Sequence, residues 1–194
     1  MMSKYDVIYL TGAPASGKTT LTDYLKQIDP SLIVFEYGKA LTNLISKKNI
    51  EVKTQEDIRR YSSNIITEED VKIVDNQLIE IINENRRKRN IIIDSHPVTK
   101  EIYGFRITAF SLDKLKKVSP SKIFVLFANP EITINRIQKE SKGRPIINQF
   151  EANMHTNLQA SVGVMYAIYL GVPIYYLDSN KNIEILASEI ISRI

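Results

Sequence analysis

Gly12, Gly17, Lys18 and Thr19, in "TGAPASGKTT" at 11–20, match the spacing G-x-x-x-x-G-K-[ST]. Such a loop turns backbone amides inward around an anion, its glycines permit close approach, and the following helix adds its positive end. Gly12, Ala13, Pro14, Ala15, Ser16, Gly17, Lys18, Thr19 and Thr20 are therefore expected to cradle the phosphates of ATP. Lys18 is expected to reach the β- and γ-phosphates and the Thr19 hydroxyl to ligate magnesium, so Mg2+ with ATP as phosphoryl donor is the expected cofactor.

A second metal-side acid is expected, and Asp94 closes the apolar run "NIIID" at the edge of a buried strand, where a carboxylate reaches magnesium directly or through its waters. The competing reading of Asp94 is a helix cap in "DSHP". Phosphoryl transfer also needs positive charge beyond the loop. The polar stretch "INRIQKESKGRP" offers Arg136 and Arg144 as catalytic cations of a small closing lid, with Lys139 and Lys142 read as solvated.

On the acceptor side, Gly38 in "EYGKAL", Arg59 in "EDIRRYSS", His96, and Arg106 in "YGFRI", a loop after the Asp94 strand, are the candidate contacts. Arg59 and Arg60 project about 100° apart on a helix, so one of them faces the cleft, and Arg59 is the choice. A phosphate acceptor needs arginines to hold it, whereas a hydroxyl acceptor benefits from a base, for which Asp94 and His96 are available.

These residues need a scaffold, and the hydrophobic pattern outlines one. "YDVIYL", "SLIVFEY", "NIIIDSH", "SKIFVLFANP" and "PIYYLD" read as strands. Helices are expected after the glycine turn, over 39–48, 54–64 and 68–87, after Asn129-Pro130, from about Phe150 to Leu170, and at the carboxyl end. Thr54 with Asp57 suggests a capping box, and Thr67 an N-cap. The order argues for an α/β fold: a parallel five-stranded sheet flanked by helices, with ligands at the carboxyl ends of the strands.

The 194 residues suit one folding unit. Without cysteine there are no disulfides or thiolate metal sites, and two isolated histidines do not make a zinc site. No charged leader with a cleavage site is read, and "VGVMYAIYLGVPIYYL" is broken by Gly171 and Pro173. A cytoplasmic protein without a membrane partner is expected. The net charge of +4 is modest, and "RRKR" at 86–89, without interleaved aromatics, reads as the solvated end of a helix rather than a nucleic-acid patch.

Taken in order, "GAPASGKTTL", "FEYGKAL", "EDIRR", "IIIDSHPVTK", "YGF" and the stretch from "NQFEANMH" to "GVPIYYL" resemble the archaeal-type adenylate kinases, within the P-loop nucleoside monophosphate kinases. The resemblance implies a three-layer P-loop kinase domain over 1–194, with a core at 1–37, 88–135 and 147–194. It further implies a helical acceptor-binding insertion at 38–87, a short lid at 136–146, conversion of ATP and AMP to two ADP with magnesium, and homo-oligomers in some members. It would place Arg59 at the acceptor phosphate and Arg136 and Arg144 as lid cations. The alternatives carried forward are a kinase for a hydroxyl-bearing nucleoside or metabolite, and a nucleotide-dependent RNA-associated ATPase or switch touched through "RRKR".

Overall fold

The computed structural model describes residues 5–48, 66–139, 144 and 147–194. Its elements are β1 (Val7–Gly12), α1 (Lys18–Ile28), β2 (Ile33–Glu36), α2 (Tyr37–Lys48), α3 (Glu68–Asn85), β3 (Ile91–Asp94), β4 (Val98–Glu101) and β5 (Gly104–Ile107). They continue with α4 (Leu112–Val118), β6 (Lys122–Phe127), α5 (Pro130–Lys139), α6 (Gln149–Leu170), β7 (Ile174–Asp178) and α7 (Ile183–Ile191).

Five parallel strands form one sheet in the order β2-β3-β1-β6-β7, as the hydrophobic pattern predicts in number and direction. Period-two alternation sorts their side chains onto two buried faces. Tyr9, Ile91, Ile93, Ile123 and Val125 pack with α3, α4 and α6, while Ile8, Leu10, Ile92, Phe124 and Leu126 pack with α1 and α7. Every residue of β1 is buried, as the centre of a doubly covered parallel sheet requires. The helix α6 lies close on the sheet at Gly163, where a Cβ would come within 3.1 Å of Ile174 Cδ1.

Local chemistry sets the helix ends. Thr67 caps α3 in a reciprocal box with Asp70, Asn148 does the same for α6 with Glu151, and Asn129 Oδ1 accepts from Glu131 N at the start of α5. Helix α3 stops at Asn85. The guanidinium of Arg86, first residue of the basic run, donates to Val118 O at 2.7 Å, and Arg87, Lys88 and Arg89 are exposed. The expected helix at 54–64, with Thr54 and Asp57, lies outside the described residues.

The segment after β3 departs from the expected loop. Residues 98–107 form an antiparallel hairpin of β4 and β5 that joins neither edge of the main sheet, and a further short helix, α4, follows. Arg106 therefore stands on a strand, as the register partner of Thr99. Arg136, expected at the start of a lid, lies within α5, which runs on to Lys139. No helix among the described residues is long and apolar enough to cross a membrane.

Candidate active site

The phosphate loop leaves the carboxyl end of the central strand and turns directly into α1. Gly17 holds φ at +88° just before α1, and Ala15 at +62°, two left-handed residues that fold the loop tightly. Gly12 is required by space: a Cβ there would lie 2.5 Å from Leu126 O and 2.7 Å from Ser16 Oγ. Lys18 is buried, and its ammonium donates to Gly12 O at 2.7 Å and Ala13 O at 3.5 Å, against the loop it is expected to serve. Thr19 and Thr20 are exposed on the cleft side of the loop.

Strand order brings Asp94 here. Parallel pairing of β1 with β3 sets Asp94 opposite Leu10, and Ser95 N donates to Leu10 O at 3.1 Å to extend that ladder. Burial raises the Asp94 pKa above the usual carboxylate range, the Lys18 charge opposes the rise, and the Glu36 charge adds to it. Asp94 Oδ1 is buried without a hydrogen-bond partner among the described residues. A partnerless buried carboxylate oxygen in the same cleft as the exposed Thr19 suits a magnesium ion, which takes one or two protein oxygens and fills its shell with water and phosphate.

One cleft of about 1060 Å³ is lined by the phosphate loop, Gly38, Asp94, His96, Arg136 and Arg144. His96 is exposed at its wall. Arg136 reaches back to the loop: Nη1 donates to Ala15 O at 3.1 Å and to Ser179 Oγ at 3.3 Å, and Nη2 donates to Ser179 O at 3.3 Å. Arg106 is not among the lining residues. It pairs with Glu101 across the hairpin at 3.0 Å, because antiparallel pairing turns it toward that carboxylate instead of the cleft. Arg59 lies outside the described residues.

Four lining or supporting residues escaped the sequence reading. Glu36 ends β2 as Asp94 ends β3, and the same strand-end rule would have found it. Lys100 lines the cleft from β4, paired with Glu151 at 3.1 Å, and without the hairpin nothing marks it. His155 and Gln159 stand one turn apart on α6, a spacing that puts two polar side chains on one helix face. His155 Nε2 donates to Val98 O at 3.0 Å, and burial lowers its pKa to about 4, so the ring is neutral at pH 7.

The comparisons follow the same outline. Residues 11–152, most of the chain, match the family model described as "AAA domain". The chain belongs to the AAA domain family. This AAA-domain chain is also 26% identical over 149 residues to an adenylate kinase of Pyrobaculum aerophilum, covering 76% of this chain and 72% of the relative. Among solved structures it superposes on the Deinococcus radiodurans tunicamycin resistance protein with a TM-score of 0.62 at 14% identity, over 98% of this chain and 95% of that one. An Acinetobacter baumannii shikimate kinase in complex with shikimate gives 0.55 at 14% identity, over 98% and 93%. A Janibacter sugar kinase gives 0.56 at 15% identity, over 97% and 93%. The structural likenesses carry the three-layer α/β architecture. The family match and the adenylate kinase relative support an adenylate kinase-like P-loop kinase.

Proposed function

We propose that this chain transfers the γ-phosphoryl group of ATP to a nucleoside monophosphate, with AMP as acceptor and two ADP as products. The observation that carries the reading is one cleft, among the described residues, lined together by the phosphate loop, Asp94 and the cations Lys18, Lys100, Arg136 and Arg144. The likeness to an enzyme named adenylate kinase supports AMP.

In this reading the backbone N–H groups of the loop at 12–20, Pro14 excepted, hold the donor phosphates and the Lys18 ammonium neutralises charge on the transferring group. The Thr19 hydroxyl and Asp94 carboxylate would hold magnesium, which when bound supplies charge neutralisation on the phosphate oxygens. Arg136 and Arg144 flank the transferred phosphoryl group as charge stabilisers. Gly38, His96 and Arg59 are the acceptor contacts. Arg106, committed to Glu101, is left out of that set.

One observation favours a second reading, a hydroxyl acceptor: Glu36 and Asp94 place two carboxylates side by side at the cleft, one with a raised pKa suited to a general base. The experiment that separates the two is magnesium-dependent ADP formation from ATP against a panel of nucleoside monophosphates, nucleosides and small alcohols, with a no-acceptor control. Preference for one monophosphate supports the first reading. Turnover only with an alcohol replaces it with the second.

A further inference from the structure

The side-chain amide of Gln159 joins two parts of the cleft that lie far apart in sequence. It is fully buried, and its Nε2 donates to Gly12 O at 3.1 Å and to Thr11 Oγ1 at 3.1 Å. Its Oε1 accepts from Val98 N at 3.1 Å. The orientation of the amide follows from its partners, because a carbonyl can only accept and a backbone N–H can only donate. His155, one turn earlier on α6, donates to the carbonyl of the same Val98. Both backbone polar groups of Val98, the first residue of β4, are thus held by α6, while the other end of Gln159 grips the first glycine of the phosphate loop.

We infer that Gln159 is a positioning residue that fixes the phosphate loop against the hairpin, so that the donor side and the Thr99 and Lys100 side of the cleft keep one register during transfer. Gly12 O accepts from both Lys18 Nζ and Gln159 Nε2, so Gln159 remains a donor to that carbonyl when the Lys18 ammonium serves a phosphate. A buried carbonyl stripped of all donors is costly, and Gln159 removes that cost from any movement of Lys18. A residue of this kind acts on alignment, which is where small displacements weigh most.

The inference rests on the phosphoryl-transfer reading of the loop but not on the identity of the acceptor, and the test keeps the two apart. Amide exchange at Val98 is followed in the wild-type protein with and without magnesium and a non-hydrolysable ATP analogue. The expected result is slower exchange at Val98, roughly tenfold, on filling the loop. Analogue binding with no change at Val98 overturns the inference, whereas no analogue binding at all overturns the reading of the loop.

Turnover of ATP with whichever acceptor the panel of monophosphates, nucleosides and alcohols selects then separates positioning from packing. Gln159→Met keeps the volume and removes the hydrogen bonds. With native circular dichroism it should lower kcat on the order of 10- to 100-fold while leaving the Kd for the ATP analogue nearly unchanged. Gln159→Glu accepts from Val98 N but donates to Gly12 O only when protonated, so its kcat relative to wild type should rise as pH falls. A folded Gln159→Met with wild-type kcat, or a Gln159→Glu whose kcat ratio ignores pH, overturns the inference. Should neither variant fold, the wild-type exchange result decides.

Discussion

Glu36 and Asp94 are register partners at the carboxyl ends of adjacent parallel strands, so two carboxylates share one wall of the cleft beside the phosphate loop. Burial raises the Asp94 pKa above the usual carboxylate range. With the folded pKa above the unfolded one, what this group adds to stability is full below the unfolded pKa. That contribution is lost as pH rises through the folded pKa.

Asp94→Asn should therefore be as stable as wild type or more so at pH 7, because the amide escapes the cost of a buried charge. Its apparent magnesium affinity should fall by at least the roughly 10- to 100-fold seen for groups that support a metal. Urea unfolding and a magnesium titration of turnover check the two halves. Unaltered magnesium dependence would detach Asp94 from the metal.

Lys18→Ala should abolish measurable turnover, a loss of roughly 10²-fold or more, while the fold survives. The Lys18 ammonium is held by loop carbonyls at Gly12 and Ala13, so its removal leaves the sheet contacts intact. Turnover and circular dichroism on one preparation suffice, and near-normal activity would refute the phosphate-loop assignment.

Gly12→Ala tests close packing at the same loop. The added methyl would meet Leu126 O and Ser16 Oγ, both nearer than an unstrained contact allows. Overpacking of this kind costs about 1–3 kcal/mol, so thermal unfolding should move several degrees lower and ATP affinity should fall with it. An unchanged Tm would show that β6 can retreat from the loop.

His155 gives the chain an acid-sensitive contact. Its folded pKa of about 4 lies below the unfolded value, chiefly because of burial. Its contribution is therefore present above the unfolded pKa near 6.5 and is lost as pH falls toward 4, by about 3 kcal/mol in all. Unfolding free energies measured between pH 7 and pH 4 should fall more steeply in wild type than in His155→Gln, whose amide also donates to Val98 O. Equal slopes would mean that another group carries the acid sensitivity.

Much of this arrangement was legible in the chain itself, and the reason is local. The Gly-Lys-Thr spacing, the strand alternation and the Thr67 and Asn129 caps depend on neighbours within a few residues, so type and interval reveal them. Five parallel strands with helices between them follow from those signals. Asp94 was visible because an acid at the end of an apolar run is conspicuous.

What tertiary structure alone decided is which distant groups meet. Strand order placed Asp94 opposite Leu10, and antiparallel pairing of β4 with β5 turned Arg106 to Glu101. The fold of α6 onto the sheet carried Gln159 to Gly12, 147 residues away. Hydrophobic periodicity records how each residue faces solvent and carries no label for its partner, so a buried glutamine and a paired arginine look ordinary until the sheet closes around them.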